Sequence, residues 1–523
     1  MTIFTGLRGM VPIVGALCVA ISMATFSATA ARAEDAPTVG QIAAKAAGKV
    51  DLAKAPFVPA VQAPMGVSFN RPTPKLGNAP LAAPQSRPET VGPQAPGTAL
   101  SLYFQTQSVN QNVGGTFPPD GDIATSQHFT VQANNLVLTM YNLDTGVLAK
   151  QVSLNTFFGD GTSFIFDPRA IFDPIWQRWV ILGDGCNPCS GTGTNGFFKL
   201  GVSVSSDPTA GFFIYSFNVG TANGDFPDFP QMGMDLHSII FTYNDFLGNG
   251  GFDARTFAVS KAYLYNGLGF GVPVFGGSGC TVAPPYVLDN GGPSYTLVAC
   301  PGDNGVFLGP ITNSGLSNVS VAHWQAKVPV PAYATPPCAP QFGVSYCLDT
   351  SDARFENRSA QIGDRIWNVH EIAVGTATPR WYEFKTSNST LVSNGVWFST
   401  LTSSDFHPSI VVNNVGATST SPTGETFGTW MSIDATNHVN IQLHAIGGSF
   451  DSAGSGAGIA VGPASSLPLT NQTFNGNRSG DYSYISLFPG SFGSCAANEL
   501  AILEGEISLG TIWGTRIGIV KHC

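Results

Sequence analysis

The hydrophobic pattern of the chain is that of short β-strands joined by turns, and one hairpin organises the rest. The stretch FDPRAIFDPIWQRWVILGDG (166–185) contains an apolar strand, a turn around Pro174 and a second strand rich in β-branched and aromatic residues. Its first strand, PRAIFD (168–173), has two further versions, PQMGMD (230–235) and PSIVVN (408–413). Each begins with Pro, has an apolar centre and ends in Asp or Asn. A strand motif that recurs at long intervals predicts a repeat architecture.

The spacing of the repeats indicates how many units the fold contains. Looser versions begin near residues 128, 293, 360 and 482, so the starts are spaced by roughly 40 to 74 residues. This spacing predicts an all-β fold, a single β-propeller of seven four-stranded blades, with six blades as the alternative. Stacked β-sandwiches would not repeat one strand motif in this way. Neighbouring blades cover the inner strands, which predicts that the following side chains are buried: Ala170, Phe172, Met232, Met234, Ile410 and Val412.

The N-terminal region predicts two segments ahead of the propeller. Residues 1–33 have the pattern of an export signal, with Arg8, an apolar run over 10–26 and Ala-Arg-Ala before two acids. A membrane anchor is the alternative, and polar and glycine interruptions of the run disfavour it. Residues 34–99 are an Ala/Pro-rich flexible linker that begins with a possible short helix over 34–55. The β-propeller domain spans residues 100–523, and no transmembrane segment is expected after signal removal.

Composition and charge indicate where the protein is located and which classes of partner are excluded. Acidic residues number 33 and basic residues 23, a formal net charge of −10, and signal removal would take away two arginines but no acid. An acidic chain does not bind nucleic acid or anionic surfaces through bulk electrostatics. Only 11% of the residues are charged, and glycines number 61. This profile is typical of an extracellular all-β protein, so we expect a secreted, periplasmic or cell-surface location.

Cysteine usage agrees with export. Cys18 lies in the signal, and the remaining even number predicts disulfides whose connectivity the sequence does not fix. The CNPC stretch has the spacing of a redox motif, but it lies in a Gly-rich loop, which favours a structural bridge. We expect a strand with the sequence LSLYFQ near Tyr103 to complete the last blade. A bridge between Cys495 and Cys523 would hold the final strand of that blade in its sheet. Nearest-neighbour pairing predicts the bridges Cys186–Cys189, Cys280–Cys300, Cys338–Cys347 and Cys495–Cys523.

Charged residues precede the inner strands of the predicted propeller. We expect no cofactor, although a ring of carboxylates there could hold Ca²⁺ or supply a general acid and base for glycoside chemistry. Alternatively, each carboxylate caps backbone N–H groups of a neighbouring blade. No catalytic residue is assigned, because the chain has no GxSxG elbow and its histidines form no zinc motif. The predicted binding residues at this channel mouth are Asp167, Arg169, Asp225, Asp228, Asp405, His407, Arg478 and Asp481.

Three stretches carry a resemblance to a known class of protein. The Pro-led inner strand, the following FDPIWQRWV and the terminal IWGTRIGIV (512–520) resemble secreted bacterial β-propellers of the broad sialidase-like and YVTN-like kind. The Asp-box of sialidase blades and the WD dipeptide are missing, so the resemblance implies a scaffold and no activity. We therefore expect an extracellular binding or surface scaffold. The alternative is a carbohydrate-active hydrolase or lyase with its site at the channel mouth; a glycan or other extracellular ligand is the expected partner.

Overall fold

The folded part of the chain is built almost entirely from β-strands. The computed structural model describes residues 36–55, 99–108, 118–187, 189, 196–219, 224–289, 293–413, 426–446, 456–470, 479–491, 495–510 and 513–521. The predicted signal, residues 56–98 of the predicted linker, Arg478 and Cys523 lie outside these ranges. Neither helix of the described part of the chain has the length and hydropathy needed to cross a membrane.

The strands follow one another with short turns. The N-terminal strands are β1 (Thr38–Ala44), β2 (Ala46–Asp51) and β3 (Ala99–Ser108). The next elements are β4 (Asp122–Thr125), β5 (Phe129–Asn134), β6 (Val137–Asn142), β7 (Val147–Ser153), α1 (Leu154–Phe158), β8 (Phe164–Asp173), β9 (Arg178–Cys186), β10 (Gly196–Ser203) and β11 (Gly211–Asn218). Then come β12 (Phe226–Met234), β13 (Ser238–Phe246), β14 (Phe252–Ser260), α2 (Lys261–Leu264), β15 (Phe270–Ser278), β16 (Val282–Ala283), β17 (Pro285–Val287), β18 (Ser294–Ala299), β19 (Gly305–Thr312), β20 (Ser320–Val321) and β21 (Ala326–Pro329).

The C-terminal half continues in the same manner. Its first elements are β22 (Ala339–Pro340), β23 (Cys347–Leu348), β24 (Ser359–Ile362), β25 (Arg365–Val374), β26 (Thr376–Lys385), β27 (Thr390–Phe398), β28 (Ser404–Val412) and β29 (Thr426–Ile433). The last are β30 (Asn440–Ile446), β31 (Gly456–Ala457), β32 (Ile459–Ala460), β33 (Tyr484–Leu487), β34 (Leu500–Ser508) and β35 (Trp513–Lys521).

These strands form sheets in a β-propeller arrangement, as predicted. Strands β4 to β7 make one antiparallel sheet, and β8 to β11 make the next, with β2 added at its outer edge. Strands β12 and β24 are joined in parallel through β17, so two groups of strands share one 11-stranded sheet. Five blades are distinguished in this arrangement, fewer than the seven predicted. The spacing of the repeats gives no sign of such pairing between groups.

The repeated Pro-led motif forms the same local structure three times. The register of strand pairing shifts at Pro168, Pro230 and Pro408, because each Pro and the residue before it have no partner in the ladder. This forms a β-bulge in β8, β12 and β28. The residue before each Pro has a positive φ, between 43° and 56°. Proline has no N–H to donate to a sheet, so it is confined to edges and bulges. The Pro that marks the repeat in the sequence therefore marks a bulge in the inner strand.

Hydrophobic clusters lie between the faces of neighbouring sheets. One joins the β4–β7 sheet to the β8–β11 sheet, and another joins the β24–β27 strands to β28 and β29 through stacked Trp397 and Trp430. The burial predicted for the apolar centres of the inner strands is confirmed, because all six side chains are at most 3% exposed. These side chains face a neighbouring sheet and have no route to water.

Disulfides and the last strands agree with the sequence. The bridges Cys186–Cys189, Cys280–Cys300 and Cys338–Cys347 are present as predicted. Cys495 is also disulfide-bonded, and its predicted partner lies outside the described residues. Strand β3 pairs antiparallel with β35, with Tyr103 opposite Gly518. An N-terminal strand therefore completes the C-terminal sheet, as expected.

Residues 38–51, placed in a flexible linker with a short helix, instead form two strands. Strand β1 pairs with β15 and β2 pairs with β11, each at the outer edge of a sheet. The side chains of Ile42 and Leu52 are buried there. An exposed sheet edge offers unpaired N–H and C=O groups, and this pairing outweighs the helical preference of an Ala/Lys-rich segment. The segment belongs to the packed fold.

We expect removal of these edge strands to destabilise the protein. Two variants carry the same substitute export signal, one in place of residues 1–55 and the other in place of residues 1–35. The variant that lacks residues 1–55 should have the lower melting temperature and should aggregate more. Burial of Ile42 and Leu52 contributes about 1.5–3 kcal/mol each, and two sheet edges become unpaired. Thermal unfolding and size-exclusion chromatography measure both effects. Equal melting temperatures for the two deletions would show that the strands are dispensable.

Candidate functional site

Arg169, a predicted binding residue, is buried among the inner strands. Its Nε donates to the backbone oxygen of Pro230 at 2.5 Å, and Nη1 donates to the hydroxyl of Tyr484. Its guanidinium lies 3.6 Å from the centre of the Tyr482 ring. A guanidinium held by aromatic faces and a carbonyl has a structural role. Arg169 therefore links three segments and does not face solvent.

Two of the predicted carboxylates cap backbone and indole N–H groups. Asp225 accepts a hydrogen bond from the backbone of Gly248 at 3.0 Å. Asp405 accepts from the backbone of Ser399 at 3.1 Å and from the indole of Trp430 at 2.9 Å. Both side chains are buried. These contacts match the capping interpretation of acids that precede strands.

Asp167 and Asp228 contribute to a buried group of acids. Burial raises the pKa of the neighbouring Asp184 well above its ordinary value, and the charges of Asp228 and Asp167 raise it further. Asp167 lies in the bulge of β8, where its backbone N–H donates to Asn135 Oδ1 at 2.7 Å. Burial and the neighbouring carboxylates therefore both favour the protonated form of Asp184. The described structure gives this group no open route to solvent, since each member is at most 4% exposed.

His407 is brought together with two glutamates that the sequence interpretation missed. Its Nδ1 lies 3.0 Å from Glu356 Oε2 and 3.9 Å from Glu371 Oε1. Burial alone would lower the pKa of His407, but the charge of Glu356, with a smaller effect of Asp481, raises it. Burial and the charge of Glu356 raise the pKa of Glu371. We refer to Glu356, Glu371 and His407 as the buried triad.

The described members of the predicted set are thus inner-strand residues, buried and engaged with neighbouring segments. Asp481, the remaining one, donates its backbone N–H to Asp120 Oδ1 at 2.7 Å. Arg478 lies outside the described residues. The bulges explain the placement of Asp167 and His407, because each precedes a bulge Pro, has a positive φ and is buried. A sequence does not distinguish a bulge from a loop that faces a channel.

An open cavity lies at the other end of the inner strands. Its volume is about 810 Å³, within the range of small-molecule sites. It is lined by the β8–β9 and β12–β13 turns, by α2, by the residues after β17 and by the turn after β19. Trp176 and Leu316 contribute exposed apolar surface, with 54% and 61% of their area accessible. We call this cavity the α2 pocket.

Polar groups line the same cavity. Asp235 accepts hydrogen bonds from the backbones of His237 and Ser238 at 2.8 Å and from the hydroxyl of Ser294 at 2.7 Å. Asp289, half-buried on another wall, accepts from the backbone of Gly363 at 2.9 Å. The α2 pocket therefore combines two carboxylates with exposed apolar surface. None of the described members of the predicted binding set lines it.

Asp173 organises the floor of the α2 pocket. One carboxylate oxygen accepts from the backbones of Ile175 and Trp176, which fixes the turn that carries the indole. The other contacts Lys261 Nζ at 2.6 Å and accepts from the hydroxyl of Tyr265 at 2.7 Å. Burial lowers the pKa of Lys261, against the effect of the ion pair. The sequence signal for this site was the Asp that ends the first two versions of the repeat motif, Asp173 and Asp235, which the sequence interpretation used only as part of the pattern.

Comparison with known proteins finds only distant structural likeness. The chain matches no protein-family model and no curated protein sequence. Similar solved structures include an exo-β-1,3-galactanase from Phanerochaete chrysosporium, with 10% identity, 64% of this chain and 80% of that chain covered, and a TM-score of 0.31. Penicillium chrysogenum α-L-arabinanase has 11% identity, coverages of 68% and 92%, and a TM-score of 0.32. Trypanosoma rangeli sialidase has 10% identity, coverages of 68% and 58%, and a TM-score of 0.37. The sheets of the structure itself agree with the propeller resemblance, at the level of the fold only.

Glu504 shows how acids are accommodated in the interior. Its Oε1 accepts from Gln132 Nε2 at 2.8 Å and from Asn134 Nδ2 at 2.7 Å. Its Oε2 is buried with no hydrogen-bond partner among the described residues. Burial raises the pKa of Glu504 to about 8 and that of Glu506 to about 7. Both glutamates therefore keep protons in the folded state that the unfolded chain releases.

This protonation predicts a stability that falls as pH rises. A carboxyl with a raised folded pKa stabilises the fold fully below its unfolded pKa of about 4.3, and this stability is lost as pH rises through the folded value. Glu504→Gln keeps the Oε1 acceptor and has no proton to lose. Between pH 5 and 8, its melting temperature should fall less than that of the wild type, with Glu506 causing the residual slope. Asp434→Asn, on an exposed turn, should melt in parallel with the wild type. Equal slopes for Glu504→Gln and the wild type would contradict the assignment.

Proposed function

We propose that this chain is an exported β-propeller that binds a carbohydrate in the α2 pocket. The observation that carries the proposal is the exposed ring of Trp176 in one cavity with the carboxylates of Asp235 and Asp289. A sugar presents apolar C–H faces and hydroxyl donors. An aromatic side chain covers the former and carboxylates accept from the latter. This combination in a concave site supports a neutral or weakly charged glycan.

Two further polar atoms at the α2 pocket support a polar ligand. Arg178 Nε and Ser314 Oγ, both on residues that line the cavity, have no hydrogen-bond partner among the described residues. Buried donors without partners are rare in folded proteins. A hydroxylated ligand or water at the wall would supply the missing acceptors. The net negative charge of the chain disfavours a strongly anionic polymer as the ligand.

Export is part of the proposal and rests on chemistry rather than on the comparisons. Three disulfides lie wholly within the described residues, and such bridges persist in oxidising compartments. The pattern over residues 1–33 predicts the signal that would deliver the chain there. A secreted or cell-surface protein meets glycans directly, which agrees with the ligand class proposed for the α2 pocket.

We also infer that the ring contains seven blades. Groups of strands that begin at β4, β8, β12, β16, β24, β28 and β33 follow one another along the chain. A hydrophobic cluster lies between each group and the next, including the last and the first, where Ile123 packs with Tyr482 and Ile502. The 11-stranded sheet is then two blades linked by β17. A crystal structure with six radial sheets would overturn this count.

A second candidate function is hydrolysis or lysis of the bound glycan. The specific observation is that Asp235 and Asp289 line one open pocket, since glycoside hydrolysis uses two carboxyl groups on either side of the scissile bond. In that case one carboxyl protonates the leaving oxygen and the other acts as a base or nucleophile. Binding without turnover would leave the first proposal intact and exclude this one.

Removal of the Trp176 ring should weaken glycan binding. Trp176→Ala loses the apolar platform, and we expect the Kd of a glycan identified on an array to rise about tenfold or more. Ile175→Ala is the matched control, because Ile175 is 55% exposed on the same turn and does not line the cavity. Isothermal titration calorimetry measures both variants. Equal affinities of Trp176→Ala and the wild type, or no glycan bound at all, would overturn the proposal.

Loss of either pocket carboxylate should abolish turnover if the second candidate is right. We expect Asp235→Asn and Asp289→Asn to lower kcat for release of reducing sugar by at least about 100-fold. Asp434→Asn is the control for Asp235→Asn, because Asp434 also caps the second and third backbone N–H groups after it. It should leave kcat unchanged. Full activity in the pocket variants, or no turnover by the wild type, would exclude catalysis here.

A further inference from the structure

The buried triad brings three ionisable side chains from separate segments to one point. Glu356 precedes β24, Glu371 lies in β25 and His407 lies in the bulge of β28. Each is at most 1% exposed, and one ligand atom from each lies within 4.8 Å of the others. Oxygen and imidazole nitrogen atoms at such spacing converge on a point between them. The triad is distinct from the α2 pocket, and no residue is shared.

The charges of the triad balance only if one of its glutamates keeps a proton. Two carboxylates face one imidazole, which can neutralise only one of them. Both carboxylate oxygens of Glu371 are buried and accept no hydrogen bond from an N–H or hydroxyl donor among the described residues, and the side chain of Glu356 is near enough to share a proton with them. A buried carboxylate without a donor or a counter-charge is strongly destabilising. Its Oε1 lies 3.9 Å from His407 Nδ1. An additional positive charge at this point would resolve the imbalance.

The position of the imidazole suits a ligand. Nδ1 faces both glutamates, while Nε2 lies 3.5 Å from the hydroxyl oxygen of Ser479. A ligating histidine commonly donates its second ring N–H to a neighbouring oxygen, which fixes the tautomer and the ring orientation. The backbone of His407 is fixed as well, because Ser483 Oγ donates to its carbonyl and Pro408 follows it. The ring is therefore held with one nitrogen toward the glutamates.

We propose that Glu356, Glu371 and His407 hold one divalent transition-metal ion of the Zn²⁺ or Mn²⁺ class. One imidazole nitrogen with carboxylate oxygens is a donor set that these ions accept, whereas Ca²⁺ and Mg²⁺ prefer oxygen alone. The ion would be structural, because all three ligands are closed off from solvent. It would tie β25, β28 and the segment before β24 to one another. The rival arrangement is a proton shared between the two glutamates.

Titration of the chelator-treated protein with each metal alone tests the proposal. Calorimetry with Zn²⁺, Mn²⁺, Ca²⁺ and Mg²⁺, together with elemental analysis of the native protein, should show one Zn²⁺ or Mn²⁺ per chain. Binding should raise the melting temperature, because a metal that binds only the folded state stabilises it. No binding by Zn²⁺ or Mn²⁺, or binding by Ca²⁺ or Mg²⁺ alone, would overturn the proposal.

Glu371→Gln separates a metal site from a shared proton. The variant keeps the shape of the side chain and can donate to Glu356, so the metal-free variant should melt at or above the temperature of the metal-free wild type. Its Kd for Zn²⁺ should nevertheless rise at least about tenfold. Glu504→Gln, at a buried carboxylate outside the triad, should bind Zn²⁺ as the wild type does. Unchanged affinity in Glu371→Gln, or loss of binding in His128→Ala at an exposed His–Asp pair, would place the ion elsewhere and overturn the proposal.

Discussion

The buried ion pair between Asp122 and Arg358 links β4 to the inner strand β8 and to the segment before β24, which are far apart in the sequence. Asp122 Oδ2 accepts from the backbone N–H of Ala170 in β8 at 2.9 Å and from Arg358 Nη1 at 3.0 Å. Inner strands of neighbouring blades do not form one continuous ladder, so their exposed backbone groups need other partners. Polar side chains supply them: Arg169 binds the carbonyl of Pro230, and Asn357 binds that of Pro408. Removing one member of a buried pair costs about 3–5 kcal/mol, because the other charge is left uncompensated.

The sequence predicts those features of the molecule that depend on local patterns, and it does not predict those that depend on long-range contacts or on the β-bulges. The strands, the buried Met232 and Ile410 and the three described bridges followed from periodicity and cysteine spacing, because these signals are local. The edge strands over residues 38–51 did not, because Ala and Lys have weak strand preference and only the free edges of β11 and β15 decide their structure. Asp167 and His407 were interpreted as residues of an open mouth, because a Pro-led motif is compatible with a loop as well as with a bulge. Glu356 and Glu371 carry no spacing signal, because the fold alone brings them to His407.

The predicted mouth and the α2 pocket lie at opposite ends of the inner strands. Asp167 is near the start of β8 and Asp173 is its last residue, so the two are separated by roughly 20 Å of extended chain. At the start of the strands, the acids are buried and contact neighbouring segments. At the ends, Asp173 and Asp235 are buried as well, but they hold the turns that line the α2 pocket. The two ends of one repeated strand therefore have different structural roles, although the residue type is the same.

Asp173 connects these two regions physically. Asp173 ends the inner strand β8, and contacts of Asp122 and Arg169 hold this strand to its neighbours. The carboxylate of Asp173 also accepts from the backbone of Trp176, pairs with Lys261 and accepts from the hydroxyl of Tyr265. Tyr286 in β17 adds a second link, because its hydroxyl donates to the carbonyl of Phe172 at 2.9 Å. A binding site gains affinity when its groups are held in place before the ligand arrives, since less freedom is lost on binding. The contacts of Asp122 and Arg169 that hold β8 in place thus also help to fix the walls of the α2 pocket, through Asp173 at the end of the strand.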